Sequence, residues 1–418
     1  MVEAMRERHS DRCRQTGQDV RRLSLWYERG FSAELPLTLG LEEELILVDP
    51  DSHLPVDAID WVLAGVEGDG RFKAELRASQ LELCTSVCLT VGDASRELAS
   101  ARSHILERID GRLRLLAVGT HPTSTVASAV TARDRFRRVA EDCGWATRRG
   151  HPSGLHVHVA VGDPGEALAV YNAARSYLPE LAALAANSPF FEGRLSGLAS
   201  TRLKLTEDLP RAGIPPAFSS WHSLAAFVTW ARRGGLFPDL SYLWWDLRPR
   251  PDYGTLELRI ADVQTRAVET AAIAAVWQSL VAALAARYRR GEWLPVHETQ
   301  MLNENRWRAL RDGLDAELVD LDNGAAVPAR DRIGILLGEL EPYADELGCS
   351  EPFAQAWMMQ AENGAARQRT IASRQGLHGL LEWLADESEP RSVFGIESPD
   401  LAPQPDAEPP ALAATSTG

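Results

Sequence analysis

Lysine is almost absent from this chain of 418 residues. Only Lys73 and Lys204 supply it, and all other Lys or Arg positions are arginine. The GxxxxGK[ST] loop, which cradles phosphates in many nucleotide-binding proteins, is missing as well. Any phosphate-binding site would therefore have to be built from arginines, backbone amides or a metal ion.

The chain also lacks an excess of positive charge. It carries 59 acidic and 44 basic residues, which gives a formal net charge of −15. Nucleic acids and anionic membranes attract basic surfaces, so the composition argues against both as partners. The same surplus of carboxylates is compatible with an enzyme that binds metal cations.

Cysteines and long apolar runs are scarce. The five cysteines are scattered and form no CxxC pair, which predicts a reduced, cytoplasmic protein. The N-terminus has no apolar segment typical of a secretory signal. The longest apolar run, residues 271–286, is interrupted by Gln278 and Ser279, so it predicts a buried helix rather than a membrane span.

Three regions follow from the patterning along the chain. Residues 1–33 are charged and predict a mobile arm, and residues 393–418 are rich in Pro and Ala and predict a disordered tail. The region between them, residues 34–392, predicts a single domain in which short strands alternate with amphipathic helices. This order favours an α+β fold with a mostly antiparallel sheet.

The predicted elements of this domain are as follows. Strands are expected at 37–48, 79–85, 113–118, 154–161, 242–248 and 254–261. Helices are expected at 92–111, 131–143, 164–187, 220–233, 266–290 and 300–313, and throughout the region after 328. Pro and Gly in "RPRPDYGTLELRI" predict a hairpin between the last two strands.

Four of these strands carry chemically reactive side chains on one face and apolar side chains on the other. Alternate residues of a strand point to opposite faces, so "LGLEEELIL" places Glu42 and Glu44 opposite a row of leucines, with Glu43 on the leucine side. The same parity holds in "SQLELC", "GLHVHVAV" and "GTLELRI". The residues that share the polar faces are Gln80 with Glu82, His156 with His158, and Thr255 with Glu257 and Arg259.

Each strand taken alone is also explained by a sheet with one solvated face. The conjunction of glutamates, histidines and arginine on four strands favours a functional surface instead. Several carboxylates with one imidazole suit Mg²⁺ or Mn²⁺ better than zinc. Metal ions held by carboxylates, together with arginines, are typical of phosphoryl transfer.

The motifs resemble the carboxylate–amine ligase family, also called type 2 glutamate–cysteine ligases, of the glutamine synthetase/guanidino kinase superfamily. The resemblance covers about residues 36–390. It rests on "TLGLEEELILVDP", "SQLELCTSVC", "GTHP", "GLHVHVAV", "SPFFEGR", "WWDLRPRPDYGTLELRIADVQTR" and "NGAARQR", in this order. The resemblance implies a twisted antiparallel sheet whose concave face binds ATP and Mg²⁺, with helices on the other side.

The implied reaction is ATP-dependent amide formation through an acyl phosphate. The partners would be a small carboxylic acid, such as glutamate, and an amine, such as cysteine, and a homodimer is expected. Arg259 and Arg202 resemble residues that contact phosphate or a substrate carboxylate, although a surface arginine is an equally good interpretation of Arg202. The implied metal ligands are Glu42, Glu44, Glu75, Glu82, His156 and Glu257, with His158 less clear.

Some details and alternatives stay open. Glu75 and Glu82 differ in parity, which requires a turn near Ala78 and Ser79. The "FEGRLSGLASTR" segment departs from the family in Leu195, Leu198 and Thr201, so an altered acceptor is expected if it lines the substrate pocket. Trp244 and Trp245 are predicted to be packing residues rather than an adenine platform. A metal-dependent amidohydrolase using HxH and glutamates, and a non-catalytic family member, are the competing hypotheses.

Overall fold

The computed structural model describes residues 2–125, 128–389, 392–393 and 396–397. Thirteen helices are defined in these ranges. They are α1 (Val2–Gly30), α2 (Ile59–Leu63), α3 (Val91–Ile109), α4 (Asp134–Cys143), α5 (Pro164–Ala174), α6 (Leu178–Leu184), α7 (Thr201–Glu207), α8 (Trp221–Arg233), α9 (Ala267–Arg289), α10 (Thr299–Asp312), α11 (Ala329–Glu346), α12 (Ser350–Ala361) and α13 (Gly364–Ser388).

Strands in the same ranges are mostly short. They are β1 (Leu39–Val48), β2 (Phe72–Ala74), β3 (Gln80–Cys84), β4 (Arg114–Leu116), β5 (Leu155–Ala160), β6 (Phe190–Phe191), β7 (Arg194–Leu195), β8 (Leu247–Arg250), β9 (Thr255–Leu258), β10 (Glu317–Val319), β11 (Ala326–Pro328), β12 (Ser392–Val393) and β13 (Ile396–Glu397).

Seven strands form the central sheet. Its order is β2-β3-β1-β5-β9-β8, and β4 pairs with the far end of β1. Every pairing in it is antiparallel. The α+β fold with a mostly antiparallel sheet is therefore confirmed, as is the hairpin that joins β8 to β9.

The two faces of this sheet differ as the alternation predicts. Leucines and valines of β1, β3, β5 and β9 are buried in one continuous core beneath α3, α5 and α9. On the opposite face, Ile46 and Val48 pack against Leu380 and Leu384 of α13. Helix α13 thus covers one end of the polar face, and Glu42 and Glu44 lie beyond the covered part.

Helix α9 is the central helix of the core. It is long and apolar enough to cross a membrane by length and composition alone, but 94% of its apolar window is buried inside the protein. A helix that is apolar on all sides is stable in a soluble protein when other elements pack around it on all sides. The prediction of a buried helix in this region is confirmed.

The N-terminal segment differs from the expected mobile arm over residues 1–33. It forms helix α1, which packs on α8, and the side chains at its C-terminal end are buried. Tyr27 and Phe31 are 1% and 0% exposed, and both stack on Trp221, with ring centroids 5.4 and 4.9 Å apart. Aromatic burial of this kind fixes the end of the helix to the domain.

Two further boundaries differ from the sequence-based prediction. Residues 240–242 form a 3₁₀ turn, and the strand expected at 242–248 begins only at Leu247. The helix expected at 164–187 is divided into α5 and α6 by a 3₁₀ turn that precedes Pro179. The predicted tail over 393–418 lies outside the described residues except for Val393 and residues 396–397.

Candidate active site

Strand register brings the predicted metal ligands together. Glu42 of β1 is opposite His156 of β5, and Glu44 is opposite Glu82 of β3. One step along, His158 is opposite Glu257 of β9. Side chains opposite each other on one face of antiparallel strands lie within contact distance. The polar residues of four strands consequently form one cluster.

The six candidate metal ligands fall into groups whose ligand atoms lie within 4.8 Å of one another. One group joins Glu42, His156 and Glu257. A second joins Glu44, Glu75 and Glu82, and a third adds Cys84 to Glu42 and Glu82. Glu75 enters the cluster because the chain turns at Ala78 and Ser79 between β2 and β3, as the parity argument requires.

The carboxylates around Glu75 repel one another. Loss of solvent, together with the negative charges of Glu44 and Glu82, holds the pKa of Glu75 well above its ordinary value. Across the strand, Lys73 balances part of this charge, with its Nζ 3.2 Å from Glu82 Oε1. A divalent cation between the three carboxylates would remove the remaining repulsion.

The imidazole of His156 lies between two glutamates of β1. Its Nδ1 is 3.0 Å from Glu42 Oε2, and its Nε2 is 3.6 Å from Glu44 Oε1. Burial would raise the pKa of Glu42, but the hydrogen bond with His156 and the nearby imidazole of His158 outweigh burial and lower it below its ordinary value. The Nε2 atoms of both histidines are buried and have no hydrogen-bond partner among the described residues.

An unpartnered buried nitrogen beside carboxylates is the arrangement that a metal ion completes. His158 is fixed from its other side, because its Nδ1 lies 2.9 Å from Thr255 Oγ1. These donors, several carboxylate oxygens and imidazole nitrogen, fit Mg²⁺ or Mn²⁺.

Glu257 is fully buried and surrounded by arginines. Arg248 binds both of its oxygens at 2.8 and 2.9 Å, and Arg259 Nη1 lies 2.5 Å from Oε1. Burial opposes ionisation, but Arg248, Arg259 and His158 hold the pKa of Glu257 well below its ordinary value. Burial and the nearby charge of Arg259 in turn lower the pKa of Arg248 to about 10.

Arg248 and Arg250 were not among the sequence-based candidates. Both lie on β8, two residues apart, directly opposite Glu257 and Thr255. The parity argument applied to "LRPR" would have placed them on the same face as Glu257. The two arginines were missed because the strand was expected to end at residue 248, so the alternation of its side chains could not be followed as far as Arg250.

Arg202 is a buried arginine and not a surface one. It lies on α7, where its Nη2 and Nη1 donate to the backbone oxygens of Arg259 and Ile260 at 3.1 and 3.4 Å. A Cβ at Gly154 would lie 2.2 Å from Arg202 Nη2, so glycine is required for the guanidinium to reach this position. Gly154 N also donates to Glu44 Oε2 at 2.6 Å.

Five of the candidate ligands line one cleft of about 320 Å³, namely Glu42, Glu44, Glu75, Glu82 and His156, whereas Glu257 does not line it. Further basic side chains surround it: Lys73, Arg77, Arg135, Arg149, Arg202, Arg248, Arg250 and Arg259. Trp244 and Tyr253 supply aromatic surface, whereas Trp245 is 4% exposed and packs in the core. The packing prediction is thus confirmed for Trp245, and Trp244 contributes to the cleft.

The three residues that depart from the family, Leu195, Leu198 and Thr201, do not line this cleft, although Arg202 at the end of the same segment does. Leu195 and Leu198 border a separate pocket of about 290 Å³, together with Arg311 and Arg369. The expectation that these substitutions alter the acceptor is conditional on their lining the substrate pocket, and it stays a prediction.

Glu43 lies on the apolar side of the sheet, as the parity argument predicts, and has a structural partner there. It is fully buried on the apolar face, where Arg102 of α3 binds both of its oxygens at 2.9 and 2.8 Å. Thr270 of α9 donates a further hydrogen bond of 2.5 Å. Glu43 therefore ties β1 to the two helices beneath it.

Comparison with known proteins finds relatives that match most of the chain. The sequence model of glutamate–cysteine ligase family 2 matches residues 38–387. A protein of Rubrobacter xylanophilus, provisionally named glutamate–cysteine ligase 2-3, is 39% identical over 86% of this chain and 99% of its own length. A relative from Thermobifida fusca, provisionally named glutamate–cysteine ligase 2, is 36% identical over 85% of this chain and 91% of its own.

Two solved structures share the fold at 14% sequence identity. One is a glutamate–cysteine ligase from Francisella tularensis in complex with AMP, with a TM-score of 0.63 over 85% of this chain and 88% of that one. The other is a bifunctional glutathione synthetase from Pasteurella multocida, with a TM-score of 0.62 over 88% of this chain and 53% of that one. The resemblance noted in the sequence is confirmed: the chain belongs to glutamate–cysteine ligase family 2 and is a carbon–nitrogen ligase.

Proposed function

We propose that this protein joins the γ-carboxyl group of glutamate, or of a similar acid, to an amine such as cysteine at the expense of ATP. The substrate carboxylate oxygen attacks the γ-phosphorus of ATP, and ADP leaves. The amine nitrogen then attacks the carbonyl carbon of the acyl phosphate, and inorganic phosphate leaves. Membership of the family supports this assignment.

The metal ligands would be Glu42, Glu44, Glu75, Glu82, His156 and Glu257, arranged in the groups described above. Mg²⁺ would neutralise the charge of the phosphate groups when bound, and Mn²⁺, which prefers the same ligands, could replace it. The observation that carries this proposal is His156 Nε2, which is buried, unpartnered among the described residues and 3.6 Å from Glu44.

The chain's own cations would orient the reacting groups. Arg259 reaches from Glu257 toward His156, with its Nη1 3.4 Å from His156 Nδ1, and so lies at the border of the metal cluster. Arg202 lies at the end of the same sheet face, next to Glu44. Arginines fixed in place before the reaction stabilise developing phosphate charge without reorganising, which is the main contribution a protein makes to phosphoryl transfer.

Two other functions predict different behaviour. A metal-dependent amidohydrolase would turn over without ATP and would retain a transition metal on purification. A non-catalytic family member would bind nucleotide and form no product. The pairing of a carboxylate-rich cluster with basic residues around one cleft favours phosphoryl transfer over hydrolysis.

The decisive experiment measures ADP and phosphate release against a matrix of amino acids and amines with ATP and Mg²⁺. We expect release only when an acid, an amine, ATP and Mg²⁺ are all present, and glutamate with cysteine is the first pair to try. Hydrolysis of an amide without ATP would overturn the ligase assignment.

Variants test the metal cluster itself. Glu257→Gln is expected to abolish turnover, but it also leaves three arginines without their counter-charge. Glu44→Gln is the cleaner variant, because the glutamine can still accept the hydrogen bond from Gly154 N while one ligand charge is lost. Turnover near the wild-type level in Glu44→Gln would contradict the assignment of this residue.

A further inference from the structure

A second cavity adjoins the reaction cleft at the outer edge of the sheet. This outer groove has a volume of about 830 Å³ and lies between helix α1, helix α8 and strand β8. The residues that matter for its chemistry are Arg22, Trp26, Arg232, Asp239, Arg250 and Asp252. Sites for small molecules typically have volumes of about 300–1,000 Å³, so the groove is large enough for a ligand.

The outer groove and the cleft share three lining residues: Ser241, Arg248 and Arg250. Arg248 is committed to Glu257 by two hydrogen bonds. Arg250 is held more loosely, by one contact of 3.4 Å to Glu257 and by the face of Tyr253, 4.7 Å away. The side chain of Arg250 can therefore bind a ligand that extends from one cavity into the other.

The cleft alone is small for the proposed reaction. Its volume of about 320 Å³ is near the lower limit for one small ligand, whereas a ligase must hold ATP, an acid and an amine together. The outer groove begins where the cleft ends, and so offers room for a part of a substrate that extends beyond the cleft.

Helix α1 forms one wall of the groove, and it lies outside the region matched by the family. The match begins at residue 38, after the end of α1. The helix is nevertheless firmly seated against the β8–β9 turn, because a Cβ at Gly30 would lie 2.3 Å from Pro251 O, and one at Gly254 would lie 2.7 Å from Gly30 O. In this chain, helix α1 therefore forms a wall of the groove beside Arg250, and this helix lies outside the region that the family model matches.

The groove suits a carboxylate. Arg233 is paired with Asp19, but Arg22 of α1 and Arg232 of α8 form no ion pair within residues 15–125 and 128–389. Together with Arg250 they outnumber Asp239 and Asp252, and Trp26 adds an aromatic wall. Arginine is well suited to bind carboxylates because its donors match the two oxygens.

We propose that the outer groove binds the carboxylate-bearing end of a substrate whose reacting group lies in the cleft. The inference rests on the proposed function, in which both the acid and the amine are amino acids. Helix α1 would then contribute to substrate specificity through Arg22 and Trp26, and the α-carboxylates of glutamate and cysteine are the two sources of the ligand group.

The test measures binding and turnover in charge-reversal variants. Arg22→Glu and Arg232→Glu are compared with Arg21→Glu, an exposed arginine of the same helix that does not line the groove. Glutamate and cysteine are each titrated calorimetrically into the protein with Mg²⁺ and a non-hydrolysable ATP analogue. KM is measured for glutamate, cysteine and ATP wherever turnover is found.

We expect Arg22→Glu and Arg232→Glu to weaken binding of one amino acid about threefold to tenfold, with KM for ATP unchanged. Weakening of glutamate alone assigns the groove to the acid, and weakening of cysteine alone assigns it to the amine. Affinities equal to those of Arg21→Glu, or a wild type that binds neither amino acid, would overturn the inference. A wild type that binds one of them but forms no ADP would overturn only the proposed function.

Discussion

At the scale of single residues, the run Glu42-Glu43-Glu44 contains two kinds of glutamate. Glu42 and Glu44 face the cluster of candidate metal ligands, whereas Glu43 faces the core and is bound by Arg102 and Thr270. The different surroundings follow from the period of two in a strand. Neighbouring identical residues can therefore have different surroundings: two line the candidate site, and one forms an ion pair in the core.

Glu43→Gln should destabilise the fold strongly. The variant leaves Arg102 buried without a counter-charge, and breaking a buried ion pair in this way costs about 3–5 kcal/mol. The free energy of unfolding from urea denaturation measures the effect. Glu317→Gln, at an exposed position of β10, serves as the control. A loss below about 1 kcal/mol in Glu43→Gln would show that the ion pair is not a major contributor.

His121 must stay neutral in the folded protein. Its Nε2 lies 2.7 Å from His53 O and donates to it, while Nδ1 accepts from the backbone N–H groups of Thr123 and Ser124 at 3.2 and 3.0 Å. A second ring proton would point at two donors. Burial accordingly lowers the pKa of His121 to about 4.

This geometry predicts a loss of stability in mild acid. The unfolded chain takes up a proton below about pH 6.5, and the folded chain does so only near pH 4, so the free energy of unfolding falls as pH falls through this interval. The contribution of this one group is about 3 kcal/mol. His121→Gln should be less stable at pH 7 and show a smaller decrease between pH 6.5 and 4.5. An unchanged pH dependence in the variant would contradict the prediction.

At the scale of elements, strands were easier to predict than the residues that support them. The alternation in β1, β3, β5 and β9 located the sheet and five of the six candidate metal ligands, because period two is visible without knowledge of the partner strand. The sixth, Glu75, lies between β2 and β3 and was indicated only by the family resemblance. Strand β2 has only three residues, too few to show a period. The pairing of Arg248 with Glu257 depends on register between strands, which a single strand's pattern does not contain.

Helix α1 was missed for a related reason. Its buried positions, Val20, Ser24, Tyr27 and Phe31, recur at helical spacing but occupy only the last third of a segment otherwise rich in charge. Tyr27 and Phe31 stack on Trp221, about 190 residues further along the chain, and packing against it supplies the stability that the segment's own composition does not.

Tyr27→Ala should therefore loosen α1 from the domain. Truncation of a buried aromatic side chain costs about 3–5 kcal/mol, and the stacking on Trp221 is lost with it. We expect trypsin to cut within residues 1–30 faster than in the wild type, as seen by mass spectrometry of the fragments. Leu25→Ala, at a position 40% exposed on the same helix, should leave the cleavage rate unchanged. Equal rates in both variants would show that the stacking does not hold the helix.

At the scale of the whole molecule, the excess of acidic residues includes carboxylates that lie close enough together to repel one another and lower the stability of the fold. The chain's net charge is −15, and the group of Glu44, Glu75 and Glu82 places three carboxylates within 4.8 Å of one another. Lys73 offsets this charge only in part, since its side chain is 51% exposed. A protein built in this way is less stable without a cation than its core alone would make it.

Mg²⁺ should accordingly stabilise the entire fold by binding the folded state alone. A ligand at 100 times its dissociation constant adds about 2.7 kcal/mol to the free energy of unfolding. Thermal denaturation of the wild type should show a Tm that rises with Mg²⁺ and falls with a chelator. Glu75→Gln should have a higher Tm than the wild type in Mg²⁺-free buffer, because the variant removes a carboxyl group whose ionisation is opposed by burial and by the charges of Glu44 and Glu82. It should also show a smaller increase on addition of Mg²⁺. Glu339→Gln, an exposed position of α11, should respond to Mg²⁺ as the wild type does. Identical Mg²⁺-dependent increases in Glu75→Gln and Glu339→Gln would show that the ion binds elsewhere than among these three carboxylates.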